Sequence, residues 1–421
     1  MAFHPLQEKG IPFEQQVRTW DELNVDPYDR NGVHPYTRTR IILMNGIEVE
    51  AALFGHQMAR QADAYDLKQK LAQVRRIEQQ QQKAINWLIP ADESTLEVTL
   101  GYEQVAVDLT AWLAQTEPEE NVRNALDFSL IEDFDHLYRY ANLMSLMNGK
   151  DPAQVVGELT EIFPGRPTVA AHRHPLDSIR HHYDKNRADI LTKLHVLTIV
   201  AGEQQTMNFY MNVGNRPEMS VGRGLYQEIA QVEEQHVSHY ESLADPRETW
   251  FERLLLHEYN ECWLYYSFVR EETDERIRDV WQNHLDCEIE HLHLAAELLD
   301  QYEGRDAESL LPSQLPELVR FQSNKQYIRN ILASQIDLTA DGNMYTPVEA
   351  LPDSARYFTW QRLVNVDGSA PSQRVIEEHI DRHGTDWRLE TEGPHPVEEL
   401  RDRARVPVGN LSPVAPQAVK T

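Results

Sequence analysis

At 421 residues the chain exceeds one ordinary domain and can bury more than one core. Its 68 Asp and Glu against 40 Lys and Arg give a formal net charge of −28, a surface that repels phosphate backbones and anionic lipid and argues against nucleic-acid and membrane partners. Two cysteines make neither a disulfide framework nor a C-x-x-C iron site; with no basic-then-apolar leader and no apolar run of membrane-spanning length, the cytoplasm is the expected compartment.

Residues 1–36, rich in Pro, Asp and Asn without periodicity, read as an irregular arm. Helical patterning runs from about Thr37 to Met147, broken at Pro90 and around Thr116. Ser94 with Glu97, and Thr116 with Glu119, have the hydroxyl-then-Glu spacing of a capping box. Asn148-Gly149 closes this block, and the prolines of 149–175 mark a connector. The pattern resumes from about Ile179 to Val213 and again near Gly222. Asp245-Pro246 with Glu248 predicts a further helix start, and a break at Glu272–Asp274 precedes a last helix that fades near Gly304. Residues 305–421 form an extension with scattered Pro and short helical pieces. Tyr357, Phe358, Trp360 and Trp387 predict that its 357–390 stretch packs on the helices, with Val406–Thr421 loose.

One spacing occurs four times within the helical blocks. A Glu is followed thirty residues later by an acidic residue, and three beyond that by His or Gln. The instances are Glu48 with Glu78 and Gln81, Glu103 with Asp133 and His136, Glu203 with Glu233 and His236, and Glu258 with Glu288 and His291. A constant offset of 155 carries the first two onto the last two. Positions i and i+3 share a helix face, so each Glu-x-x-His can aim a carboxylate and an imidazole at one metal. A lone Glu plus a Glu-x-x-His, taken twice, is a dinuclear carboxylate ligand set.

The block 176–304 carries the complete set and is the expected intact site. Glu233 and Glu288 would bridge, Glu203 and Glu258 would be terminal, and His236 and His291 would each bind one metal. Oxygen donors with one imidazole per metal suit Fe or Mn. Glu234, Glu261 and Glu290 read as solvent-facing, with a role as extra ligands the alternative. His239 and His293 read as surface or supporting groups, and Cys262 and Cys287 as buried and inert. The block 37–148, with Gln81 for His and Asp133 for Glu, is expected to hold a degenerate site at Glu48, Glu78, Gln81, Glu103, Asp133 and His136. A single-metal site at Glu103, Asp133 and His136 is its functional alternative.

This ligand set resembles the ferritin-like di-iron carboxylate superfamily over roughly residues 40–300. The resemblance implies an all-α fold of two tandem four-helix bundles between the arm and the extension, and two Fe (alternatively Mn). Such bundles carry a long crossover between their second and third helices, for which the stretch from His236 to Glu258 is short. Pairing Glu103, Asp133 and His136 with Glu203, Glu233 and His236 through 137–202 would restore it. The implied activity is an oxidase or oxygenase activating O2 for a small organic substrate, with an external electron donor and a homodimer both compatible. Tyr210, Tyr240, Trp263, Tyr265 and Tyr266 are the candidate aromatic lining. A manganese-catalase or rubrerythrin-like peroxide-consuming enzyme stands second, a ferroxidase third. A structural or docking helical bundle with a proton-shared acidic core is the non-enzymatic alternative.

Overall fold

The computed structural model describes residues 3–365 and 370–407. Eight helices of 22–29 residues dominate it: α1 (Pro35–Gln61), α2 (Tyr65–Trp87), α3 (Thr95–Thr116), α4 (Glu120–Asn148), α5 (Ile190–Val213), α6 (Ser220–Glu241), α7 (Trp250–Glu271) and α8 (Glu275–Glu303). None among the described residues is long and apolar enough to cross a membrane.

Local chemistry sets the helix ends. Ser94 and Glu97 form the expected capping box at α3, and Gly149 and Gly304 end α4 and α8 in the left-handed conformation. Three expected boundaries are corrected. Thr116 is the last residue of α3, its hydroxyl donating back to Trp112 and Leu113, and Glu119 instead precedes α4. Asp245 does not start α7, because its carboxylate accepts from the backbone of Lys185 and Arg247; Thr249 and Glu252 make the capping box there. The pattern from Ile179 becomes helix only at Ile190. Asp184 holds a turn by accepting from Asn186 N, and Asp189 caps α5 by accepting from Leu191 N. A break at Ala62–Ala64, without glycine or proline to mark it, separates α1 from α2.

Sequential helices pair as hairpins, α1 with α2, α3 with α4, α5 with α6 and α7 with α8. The hairpins do not associate in chain order. Helices α3 and α4 meet α5 and α6, giving an inner set, while α1 and α2 join α7 and α8 in an outer set. The expected division into tandem bundles at 37–148 and 176–304 is therefore replaced by a nested one. The crossover of the inner set is the segment 149–189. That of the outer set is the whole of 88–249. The sets touch through α1, α3, α5 and α7. At that seam Gln205 of α5 donates to the carbonyl of Ile42 at 2.8 Å and accepts from the side-chain amide of Asn45, both on α1. One continuous apolar core runs through both sets, including the fully buried Trp263 and Trp281; burying each such side chain contributes about 2 kcal/mol or more.

Arm and extension cover the helices. The arm holds one-turn helices at Phe13–Gln16 and Trp20–Leu23, and Phe3 stacks on Tyr266 at 4.1 Å. The extension forms α9 (Lys325–Gln335), a hairpin of β1 (Leu338–Asp341) and β2 (Met344–Pro347), α10 (Arg356–Val364) and α11 (Pro371–His383). Helix α11 packs on α4 and α6, Tyr357 donates to the carbonyl of Ala170, and Asn142 donates to that of Trp387. The 357–390 stretch thus packs as expected over its described part. Of the end expected to be loose, 408–421 lies outside the described residues.

Candidate metal centres

At mid-length of the inner set, Glu103, Asp133, His136, Glu203, Glu233 and His236 converge, none more than 1% exposed. One ligand atom from each of Asp133, Glu203, Glu233 and His236 fits within 4.8 Å of the others, and the same holds for Glu103, His136 and Glu233. Glu233 joins the two groups. Its Oε1 lies 3.0 Å from Nδ1 of His136, and its Oε2 lies 3.2 Å from Nδ1 of His236, the placing of a bridging carboxylate.

The outer set repeats this with changed ligands. Glu78, Glu258 and His291 form one group, and Glu48, Glu261 and Glu288 another. Glu288 takes the joining place: its Oε2 is 2.9 Å from Nδ1 of His291, and its Oε1 accepts from Gln81 at 2.5 Å. Tyr210 donates to Glu103 in the inner set, as Tyr265 does to Glu48 in the outer one.

The expected single intact site is thereby corrected. Glu203, Glu233 and His236 do not meet Glu258, Glu288 and His291; each triple joins one from the other block. The eight-residue return 242–249 carries the chain from the inner set to the outer set, while the longer 149–189 joins α4 to α5. Gln81 and Asp133, expected to spoil one site together, fall in different centres. Glu261, expected at the surface, is 1% exposed and lies among the carboxylates. Glu290 is partly exposed beside His293, and Glu234 accepts from Ser238 at the surface. His239 is buried against Phe128 and donates to or accepts from Tyr345. Burial pushes the Cys262 and Cys287 thiols up, that of Cys287 to about 12, as inert cysteines require. Of the aromatic lining, Tyr210, Tyr265 and Tyr240 stand by the ligands. Trp263 turns its indole N–H to the carbonyl of Glu317, and Tyr266 faces the arm.

The residues fit a pair of cations in the inner centre. Among the described residues, Oε2 of Glu103 and both side-chain oxygens of Asp133 and of Glu203 are buried without a hydrogen-bond partner. His236 Nδ1 lies 3.0 Å from Asp133 Oδ1, but out of line for a hydrogen bond. Burial, then the neighbouring carboxylates, push Glu103 and Glu203 well above the ordinary carboxyl range. Burial also opposes ionisation of Glu233, yet His136 and His236 outweigh it and hold that group low. Stacked acids of this kind require protons or cations for compensation.

Several supporting residues carry no sequence signal. Glu132, inside the acidic string Glu132-Asp133-x-Asp135, accepts from His236 Nε2 at 2.9 Å. Arg166 and Arg173 donate to Glu132 at 3.0 and 2.9 Å, and together with His236 they hold its carboxyl well below the usual range despite burial. With Nε2 donating to Glu132, the His236 lone pair sits on Nδ1, facing the carboxylates. In the outer set the arm does this work: Gln16 meets His291 Nε2 at 2.9 Å, and Phe13 stacks on its ring at 5.2 Å.

A cavity of about 690 Å³ backs onto α6 between the 172–175 segment, α10 and α11, lined by His172, Arg173, Gln235, Trp360 and Arg374 among others. It does not open on the ligands; it reaches them through Arg173, Glu132 and His236. A second, narrow cleft of about 10 Å³ between α1, α2 and α7 is lined by Glu78, His257 and Glu258. Compared with known proteins, the chain matches no family model, no curated protein and no solved structure.

Proposed function

We propose that the chain is a non-haem dinuclear-metal oxidoreductase of the ferritin-like carboxylate class. In this reading Glu103, Asp133, His136, Glu203, Glu233 and His236 hold two Fe, or alternatively Mn, and the activity is that of an oxidase or oxygenase using O2 on a small organic substrate. What carries the reading is Glu233, poised between two imidazoles and ringed by carboxylate oxygens that lack partners. A metal pair there supplies Lewis acidity and electron storage toward O2. The chain's own part is positioning and exclusion. Glu132 fixes the His236 tautomer, Tyr210 steadies Glu103, and complete burial keeps bulk water out.

The substrate's place in this reading is the cavity behind α6, whose volume suits a small organic molecule. Arg173 and the exposed Arg374 line it with positive charge, which favours a substrate bearing a carboxylate or carbonyl oxygen. The hydrogen bonds from Arg173 through Glu132 to His236 then link substrate to ligand. A peroxide-consuming activity is the second reading, supported by the cleft beside Glu78 and Glu258, which admits only very small molecules.

Metal analysis joined to O2-uptake and peroxide-consumption assays tests these readings. Fe with substrate-dependent O2 uptake supports the first; Mn with peroxide consumption supports the second. Trp360→Ala should then lower substrate-dependent uptake while leaving metal content unchanged. Protein that is folded and metal-free, and that stays so after Fe2+ or Mn2+ addition, would refute both and leave a structural role.

A further inference from the structure

The outer centre differs from the inner one by a paired exchange. An offset of 55 positions relates Gln81 to His136 and Thr206 to Glu261. Where the inner centre has the imidazole of His136, the outer has the amide of Gln81. Where the inner has the hydroxyl of Thr206, which donates to the carbonyl of Gly202, the outer has the carboxylate of Glu261. A nitrogen donor is lost at one position and an oxygen donor gained at a neighbouring one.

The gained group points at the vacated place. Glu261 supplies an oxygen within 4.8 Å of oxygens from Glu48 and Glu288, at the end of the centre away from His291. Gln81 gives an independent sign. Its Nε2 donates to Glu288, while its Oε1, on a residue 2% exposed, has no partner among the described residues. Oε2 of Glu48 and Oε2 of Glu261 are orphaned likewise. A decayed site kept for packing would shed buried carboxylates; this one has five, from Glu48, Glu78, Glu258, Glu261 and Glu288, against four in the inner centre.

We propose that the outer centre is a second, chemically asymmetric metal site, in which Glu48, Glu261, Glu288 and the Gln81 carbonyl bind a hard divalent cation through oxygen alone. Beside it, Glu78, Glu258 and His291 form a position with one nitrogen donor, like those of the inner centre. Oxygen-only sets suit Mn2+, Mg2+ and Ca2+, whereas an imidazole moves preference toward later transition metals. Five carboxylates around two divalent ions also leave one negative charge, which favours hard, strongly charged ions further. This assignment uses none of the inner ligands and stands apart from the reading of the inner centre.

The test is Mn2+ binding to metal-stripped full-length protein, read by elemental analysis and by the Mn2+ paramagnetic resonance spectrum. Wild type should bind about four ions per chain. Glu261→Gln and Glu261→Thr, the latter copying the inner residue, should each bind about one fewer, with circular dichroism unchanged. Gln81→His added to Glu261→Thr should restore the count with an altered spectrum, since a nitrogen donor returns. A His136→Ala, His236→Ala double variant should retain about two ions. If both Glu261 variants bind as wild type does, or the double variant binds none, the outer site is overturned while the inner reading stands. If the double variant loses nothing and the Glu261 variants lose an ion, the inner reading fails and the outer site stands.

Discussion

Glu132→Gln tests the logic of the inner centre most directly, because it changes one charge and no volume. The carboxylate accepts on both oxygens: Arg166 and Arg173 donate to Oε1, and His236 Nε2 and Arg173 to Oε2. A glutamine has one acceptor oxygen and an NH2. The two buried guanidiniums compel that oxygen to face them, so the NH2 is left opposite His236 Nε2. Two N–H groups cannot face each other, and the imidazole proton must move to Nδ1, the nitrogen turned toward Asp133 and Glu233. Losing such a supporting partner costs about 10- to 100-fold in metal affinity, equivalent to about 1.4–2.7 kcal/mol. Competition with a chromophoric chelator measures this, with Gln16→Ala as the comparison in the outer set. Gln16 is a neutral partner on the arm, so its loss should cost less. If Glu132→Gln binds metal within threefold of wild type, His236 is not held through Glu132 and the tautomer argument fails.

Other outcomes follow from features away from the ligands. Asp108 is buried under the hydroxyls of Tyr36 and Thr160, and burial raises its carboxyl from 3.8 to about 7. The protonated form is favoured in the folded state, so its stabilisation is full below about pH 4 and is lost as pH rises through about 7. Asp108→Asn should remove that loss, gaining on the order of a few kcal/mol relative to wild type between pH 5 and 8 by urea unfolding; an equal pH slope in both proteins would refute it. At Gly165 an added Cβ would lie 2.3 Å from the carbonyl oxygen of Ile131 and 2.6 Å from Asp135 N. Gly165→Ala should therefore cost about 3 kcal/mol and, by shifting Arg166, weaken metal binding; an unchanged melting temperature would contradict this. Limited trypsin treatment should cut first among the exposed Arg401, Arg403 and Arg405, and early loss of everything after Arg305 would show that the extension does not pack as described.

The sequence carried the helices and the ligand-bearing faces because both rest on short-range periodicity. An i, i+3 pair states which face a carboxylate and an imidazole share, and four copies of the thirty-residue spacing state that they lie at equal depth. Nothing in that spacing says which hairpin faces which. The nested association was legible only in the shortness of the return from His236 to Glu258, and the concentration of altered ligands in the first block argued the other way. Glu261 shows the same limit: three positions from Glu258, it shares a face with a ligand, but an acidic helix offers many such neighbours. Glu132 was hidden by its acidic surroundings and needed Arg166 and Arg173, more than thirty positions away, to become meaningful. Asp245-Pro246 had the composition of a cap, yet its carboxylate was taken by Lys185 across a tertiary contact.

Nesting also orders events during synthesis. The inner set is a continuous stretch from Thr95 to Glu241, so it can close as soon as α6 leaves the ribosome. The α1–α2 hairpin emerges first yet meets α7 only after residues 88–249 have been made, a delay on the order of 10–30 s at usual translation rates. During that interval Glu48, Glu78 and Gln81 have no partners from α7 or α8, while α1 can rest on α3 and α5. The outer centre is thus the later of the two to form, and a ribosome stalled before α7 would display half of it. Metal supplied early in synthesis would fill the inner centre first, and loading of the outer one would report that α7 and α8 had been made.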